Sequence, residues 1–153
     1  MMDRRQFLTS VAAFGMFYST ANAANAVLTA QQAHDALSEG SLILIDIRTP
    51  QEWHSTGVAS GAWPLDMTDQ KFGQQLMSVL QNNPGRDVAV ICRTGRRSAY
   101  LLDVLKKNEI EGVLDVSEGM AGGSNGQGWI KSGLPIVTAA DSVDAIPADF
   151  TAN

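Results

Sequence analysis

The sequence predicts an α/β fold built on a mainly parallel sheet flanked by helices. Two observations lead there. Leu42–Ile47 and Asp87–Ile91 are nearly unbroken apolar runs of strand length, the pattern of strands covered on both faces. Segments with apolar residues at helical spacing follow them, and strands alternating with helices favour parallel βαβ units. The chain has 153 residues, 44% of them apolar, which suits one domain with a buried core.

Taken in order, Thr29 reads as the N-cap of a short helix, with Gln32 three residues on and Gly40 to end it. The strand Leu42–Ile47 follows. Thr49 and Pro50 then open a helical turn, proline being suited to the first helical position. Gly61–Leu65 reads as a short strand. Between Asp69 and Leu80, apolar Phe72, Leu76, Val79 and Leu80 repeat at helical spacing. The turn Asn82-Asn83-Pro84-Gly85 leads into the strand Asp87–Ile91. Ser98–Lys107 is strongly helical, with Leu101, Leu102 and Leu105 as its apolar stripe and two lysines at its C-terminal end. Gly112–Val116 is a third strand. Gly119–Gly128 is a loop, with glycine at every second position on average, and Trp129–Leu134 holds one helical turn before Pro135. The stretch from Asp141 to Asn153 has little periodicity and is expected to be a loosely ordered tail.

The chain begins MMDRRQFLTSVAAFGMFYSTANAANAV. Arg4 and Arg5 precede an apolar run from Phe7 to Tyr18, and Ala-Asn-Ala follows twice. This is the charged, apolar, small-residue order of a secretory signal. The run is too short for the roughly 20 residues that cross a bilayer as a helix, so no stable membrane insertion is expected after cleavage. Cleavage after Ala23 or Ala26 fits the small-residue rule equally. Asp3-Arg4-Arg5-Gln6-Phe7-Leu8 resembles the bacterial twin-arginine signal, which predicts a periplasmic protein; an ordinary secretory signal is the alternative. Removing residues 1–26 takes Asp3, Arg4 and Arg5 with it, and the formal net charge moves from −5 to −6. So acidic a chain argues against a general nucleic-acid binder.

Against that background, the stretch Ile91-Cys92-Arg93-Thr94-Gly95-Arg96-Arg97-Ser98 stands out. It holds the one cysteine of the chain and three arginines. A single cysteine makes neither an internal disulfide nor a cysteine-rich metal site, and His34 and His54 lack ligand spacing, so no metal is expected. Cys92 directly follows a strand and precedes a helix, which puts it at the carboxyl edge of the sheet, where ligands of such folds sit. Gly95 permits a tight bend that turns successive N–H groups inward, and the next helix points its N-terminus at the same place. Both favour a thiolate, the nucleophilic form. Arg93 and Arg96 add charge that attracts anionic substrates, and Arg97 either does the same or folds back onto a carboxylate. An inert core thiol would have no need of three adjacent arginines.

Cys92-x-x-Gly95-x-Arg97-Ser98 resembles the active-site loop of the rhodanese family of sulfurtransferases. Three further segments are similar in order. Asp46-Ile-Arg48-Thr-Pro-Gln-Glu52-Trp53 is similar to the family's Asp-x-Arg-x-x-x-Glu-aromatic segment. Gly57–Pro64 resembles its Gly-His-Ile-Pro-Gly-Ala stretch, although this chain has Gly57-Val58-Ala59-Ser60-Gly61-Ala62 there, which points to altered packing or a different rim. Gly133-Leu134-Pro135 resembles the closing segment. The resemblance spans about residues 28–138. It implies a rhodanese-like three-layer domain over residues 27–140, a persulfide intermediate on Cys92 cradled by the N–H groups of Arg93, Thr94, Gly95, Arg96 and Arg97, and no cofactor. It implies a small anionic sulfur donor such as thiosulfate, and cyanide or a thiol as acceptor, a periplasmic protein thiol included. Asp46 and Arg48 lie beyond the first strand at the same edge. They read either as support for the loop through an ion pair with Arg97, or as a structural cap on the following turn. Glu52 and Trp53 read as structural. Two rival functions remain: a non-catalytic sulfur carrier, and a phosphatase or arsenate reductase of related type. The latter use five residues between cysteine and arginine, where this chain has four, and the shorter loop fits a sulfur atom better than a phosphate.

Overall fold

The computed structural model describes residues 27–151. The proposed export signal lies outside the described residues. A five-stranded sheet forms the middle layer. Its strands are β1 (Val27–Leu28), β2 (Leu42–Asp46), β4 (Trp63–Pro64), β5 (Asp87–Ile91) and β6 (Val113–Val116), in the order β1-β6-β5-β2-β4. Every neighbouring pair is parallel. The α/β architecture with a parallel central sheet is therefore as the sequence predicts. A separate antiparallel pair joins β3 (Val58–Ala59) to β7 (Ile136–Val137).

Alternation along the central strands divides the core. Leu42 and Leu44 of β2, Ala89 and Ile91 of β5, and Leu114 and Val116 of β6 face one side. There they meet Ala30 and Ala33 of α1 (Ala30–Ser38) and Trp129 of α5 (Gly128–Lys131). Ile43, Ile45, Val88, Val90 and Val113 face the other side, against α3 (Phe72–Asn82) and α4 (Arg96–Lys107). Both faces are dry, which explains why these strands read as continuous apolar runs. Each fully buried leucine or isoleucine contributes roughly 1.5–3 kcal/mol.

Local chemistry sets the helix starts. At α1, the Gln32 N–H donates to Thr29 Oγ1 (3.1 Å) and the Thr29 N–H donates back to Gln32 Oε1 (2.9 Å), a capping box. Pro50 opens α2 (Pro50–Thr56) at the position where its missing N–H is harmless. α4 begins two residues earlier than its apolar stripe suggests, because Gly95 takes a left-handed conformation (φ +89°) and turns the chain from β5 straight into the helix.

Beyond β7, the stretch expected to be a loose tail carries structure. Thr138 Oγ1 accepts from the Asp141 N–H (3.1 Å) and caps α6 (Ala139–Ser142); a 3₁₀ turn over Val143–Ala145 and α7 (Ala148–Thr151) follow. Ala145, Ile146 and Phe150 pack on the α3/α4 side of the core, and the Phe150 ring lies 5.6 Å from that of Trp63. Three anchors spread over single-turn helices leave no periodicity to read, which is why the sequence pattern misses them.

The carboxyl ends of β2, β5 and β6 lie side by side. The segments that leave them hold Asp46 to Arg48, the cysteine loop and the start of the glycine-rich stretch. The fold therefore brings together at one edge the residues singled out in the sequence.

Candidate active site

Cys92 continues the alternation of β5. It falls on the face of Val88 and Val90, beneath the start of α4, and has no solvent exposure. The Gly95 N–H donates to Cys92 Sγ at 3.1 Å. The thiol in turn points to Ser98 Oγ at 3.5 Å, and the Ser98 hydroxyl donates to the Gly95 carbonyl at 3.1 Å. The sulfur thus sits in the first turn of a 12-residue helix, with an amide aimed at it and the positive end of the helix dipole beside it. The amide and the helix end are the two features that would stabilise negative charge on sulfur.

The glycine-rich stretch is bound to this loop along its backbone. The Met120 N–H donates to the Cys92 carbonyl and the Ala121 N–H to the Arg93 carbonyl, both at 2.8 Å. Asn125 Nδ2 donates to the Ser117 carbonyl at 3.1 Å. The contact is close enough that a side chain on Gly95 would collide with the Ser117 carbonyl oxygen, and one on Gly119 (φ +69°) with the Arg93 carbonyl. Glycine is required at both positions by space as well as by backbone conformation.

The three arginines separate into two kinds. Arg97 is bound: its Nη1 and Nη2 donate to the two carboxylate oxygens of Glu52 at 2.8 and 2.6 Å. Glu52 Oε2 also accepts the Thr49 N–H (3.0 Å) and hydroxyl (3.1 Å). The Arg97 guanidinium, helped by Thr49, holds the Glu52 carboxyl down to about 2. Arg97 itself is pushed up by Glu52. Arg93 and Arg96 are exposed, and neither has an ion-pair partner among the described residues. Thr94 is half-buried between them.

Asp46 and Arg48 are placed differently from the ion pair with Arg97 that the sequence suggested. They bind each other in full burial, Arg48 Nη2 to Asp46 Oδ2 at 2.7 Å and Arg48 Nε to Oδ1 at 3.0 Å. The Arg48 N–H adds a third donor to Asp46 Oδ1 (3.1 Å). Asp46 is saturated by its neighbour two residues away. Arg48 then reaches Thr56 Oγ1 and the Gly57 carbonyl, each at 2.7 Å, and so ties the end of β2 to the end of α2. Its influence on the cysteine loop passes through α2, which presents Glu52 to Arg97. Glu52 is thus the residue that fixes the loop, in addition to its structural part at the start of α2.

Two residues at the site, one of them the Ser98 of the loop motif, have surroundings that the motifs do not declare. Ser98 stands between the sulfur and the Gly95 carbonyl. Asp115 lies on β6 in register with Val90 of β5, 6% exposed, and its Oδ1 has no hydrogen-bond partner. Burial pushes its carboxyl up from the usual range, against a smaller opposing pull from the Ser98 hydroxyl. The signal for Asp115 was present: it is the sole charged residue within the apolar strand Val113–Val116. A cavity of about 270 Å³ between α3 and the C-terminal segment, lined in part by Trp63, Lys71, Asn83 and Phe150, lies away from the thiol.

Comparisons with known proteins agree with this geometry. Residues 29–125 match the family described as Rhodanese-like domain. An uncharacterised protein of Rickettsia rickettsii is 24% identical over 114 residues, covering 68% of this chain and 90% of that one. The crystal structure of a protein from M. tuberculosis is 25% identical with a TM-score of 0.56, covering 74% of this chain and 98% of the other. The solution structure of a polysulfide-sulfur transferase homodimer from Wolinella succinogenes is 23% identical with a TM-score of 0.52, covering 76% and 80%. That last likeness is one of fold.

The Glu52–Arg97 pair sets a pH dependence of stability. Glu52 binds fewer protons in the folded state than in the unfolded chain, so its contribution is full above its ordinary value of 4.5 and is lost as pH falls toward 2. Glu52→Gln is expected to cost about 1 kcal/mol at pH 7, the pair being partly open to solvent. Urea unfolding at a series of pH values should show the difference from wild type closing between pH 5 and pH 2. A difference that stays constant with pH would remove the pair from the stability of the loop.

Proposed function

Because the chain belongs to the rhodanese-like family, we propose that it is a sulfurtransferase that moves sulfane sulfur through a persulfide on Cys92. The carrying observation is the environment of that sulfur: a direct amide donor from Gly95 at the N-terminus of α4. In the first step the Cys92 thiolate attacks the outer sulfur of thiosulfate. The Cys92–sulfur bond forms, the sulfur–sulfur bond of the donor breaks, and sulfite leaves with the bonding pair. In the second step cyanide or a thiolate attacks the outer sulfur of the persulfide, and Cys92 leaves as thiolate. The two steps share one enzyme site and predict ping-pong kinetics. The negative charge moves between atoms one bond apart, so the same preorganised amide and helix end stabilise thiolate and persulfide alike.

The four-residue spacing between Cys92 and Arg97 supports sulfur over phosphate. Arg97 is also committed to Glu52 on both of its terminal nitrogens, which leaves it poorly disposed to wrap a tetrahedral oxyanion. Arg93 and Arg96 stand exposed at the entrance with their charge uncommitted. They fit an anionic donor, whether thiosulfate or a polysulfide.

We further propose that residues 1–26 direct export, by the twin-arginine route, and that the mature chain acts in the periplasm. The sequence of that segment is the support. Replacing Arg4 and Arg5 together by lysine should leave the full-length precursor in the cytoplasm, read by immunoblot of cell fractions. Continued export would point to the general secretory route, and cytoplasmic wild-type protein would end the proposal.

Purified protein without residues 1–26 is expected to convert thiosulfate and cyanide to thiocyanate, and Cys92→Ala to fall to background. Mass spectrometry of the intact protein after thiosulfate alone should show one added sulfur, absent from Cys92→Ala. Sulfur uptake without turnover would make the protein a carrier. The absence of both uptake and turnover would sink the reading.

The entrance arginines give a separate prediction. Arg93→Ala combined with Arg96→Ala should raise KM for thiosulfate by about 5- to 20-fold while changing kcat less, since the charges attract the donor before chemistry. Repeating the assay at high salt should shrink the difference, because exposed charges are screened. A salt-independent effect would assign the arginines to structure.

A further inference from the structure

Asp115 is a buried carboxylate without a counter-charge. It is 6% exposed and its Oδ1 has no hydrogen-bond partner, an arrangement that is costly for an ionised group. None of the ion pairs among the described residues includes it. On one side, β5 sets Val90 level with it. Over the same face of the sheet lies α4, whose cations are occupied or turned to water. Arg97 is held by Glu52 and Lys107 by Asp103, while Arg96 and Lys106 are exposed.

On its other side, Asp115 is level with Val27. There β1 is the outer strand of the sheet, and Val27 is its first residue. Neighbouring strands lie roughly 4.8 Å apart, and residues paired in register carry their side chains on one face. Leu28 turns to the face of α1 and Trp129, so Val27 and Asp115 share the opposite face. The Val27 nitrogen, one bond from its Cα, is thus within reach of a carboxylate extending from the next strand. Joined to Ala26, that nitrogen is a neutral amide. Freed, it is an ammonium at neutral pH, since α-amino groups titrate near about 8.

The sequence offers a cut at this bond. Ala24-Asn25-Ala26 directly precedes Val27 and is one of the two small-residue sites that end the proposed export signal. Cleavage at the other, after Ala23, would leave the ammonium on Ala24, up to roughly 10 Å of extended chain from Val27.

We propose that processing cuts the Ala26–Val27 bond, and that the α-ammonium created on Val27 becomes the partner of Asp115, fastening β1 to β6 in the mature chain. This rests on the reading of residues 1–26 as an export signal. The step is hydrolysis by a signal peptidase. The C–N bond breaks, the oxygen of water joins the Ala26 carbonyl carbon, and both of its protons end on the Val27 nitrogen. Ala26 leaves as a carboxylate and Val27 remains as an ammonium.

The test compares three forms of the mature chain by thermal unfolding at neutral pH: one beginning at Val27, the same chain with its α-amine acetylated, and one beginning at Ala24. The first should melt roughly 3–6 °C above the other two. In Asp115→Asn all three should melt within about 1 °C of one another. A second readout holds even if Asp115→Asn fails to fold. Followed by carbon NMR, the Asp115 carboxyl should titrate at lower pH in the Val27 form than in its acetylated counterpart, because an ammonium nearby favours the ionised carboxyl. N-terminal sequencing of the exported protein should begin at Val27. Equal melting of the three forms, a gain that survives Asp115→Asn, a carboxyl curve unmoved by acetylation, or an exported protein beginning at Ala24 would overturn the proposal. Uncut precursor retained in the cytoplasm would end the export reading and this one with it, and the missing cut tells that failure from the others.

Discussion

The left-handed turn at Gly95 is the constraint on which the site depends. β5 ends at Ile91 and α4 begins at Arg96, so the chain must reverse from strand to helix in four residues. A positive φ at Gly95 does this, and the same bend swings its N–H onto Cys92 Sγ. The turn is also wedged against the Ser117 carbonyl at the end of β6, leaving no room for a side chain. Parallel pairing of β5 with β6 fixes that approach, because it brings the two carboxyl ends to the same edge. The sheet, the turn and the sulfur environment are thus one geometric fact. An alanine at position 95 would meet both the strained φ and the carbonyl, and the loop could accommodate it only by withdrawing the amide from the sulfur.

Around that turn, charge is handled by distance from water. The fully buried ion pair, Asp46 with Arg48, is saturated internally and joins β2 to α2. Breaking such a pair on one side is far more damaging than replacing both partners by apolar groups, so its role is one of specification more than of net stability. The half-buried pair, Glu52 with Arg97, docks α2 onto the start of α4. The free charges, Arg93 and Arg96, remain at the surface, where they cost nothing to solvate and still extend a field over a Debye length. In a chain of formal net charge −5, this local reversal of sign gives an approaching anion a direction.

Much of this was legible in the sequence, and the parts that were not share a cause. β2, β5 and α4 are long enough for periodicity to declare them, and Cys92 falls at the carboxyl edge from strand order alone. Of the four two-residue strands, β4 falls within the short strand read at Gly61–Leu65, while β1, β3 and β7 are shorter than any repeat and form because the chain around them is already placed. Glu52 illustrates the limit best. Its local signal, three residues after Thr49 at a helix start, is correct, and Oε2 does accept the Thr49 N–H. The same carboxylate meets Arg97, 45 residues away, and no local pattern carries that. Asp46 left two readings open, a distant pair with Arg97 or a local structural part at the following turn, and the Arg48 guanidinium and N–H two residues along hold it locally. Asp115 was visible as a charge in an apolar strand, yet its meaning depends on the register that sets it level with Val90.

The complete burial of Cys92 changes what the site must accomplish. The Gly95 amide and the start of α4 already face the sulfur and require no movement. Access is another matter, since the loop carbonyls are fastened to Met120 and Ala121 and the thiol points inward to Ser98. A reactant that must surround the sulfur, as a phosphate ester must be surrounded in transfer to cysteine, has to open this backbone ladder. A reactant that presents one terminal sulfur at the rim needs only that atom to enter. For the sulfur transfer proposed here, the persulfide solves the second half of the problem as well: the added atom lies one bond further out than the buried thiol, so the acceptor meets it nearer the surface. On the proposed reading, the tight loop would select by how much of the reactant must be admitted, and the exposed Arg93 and Arg96 would hold the rest of an anionic donor outside.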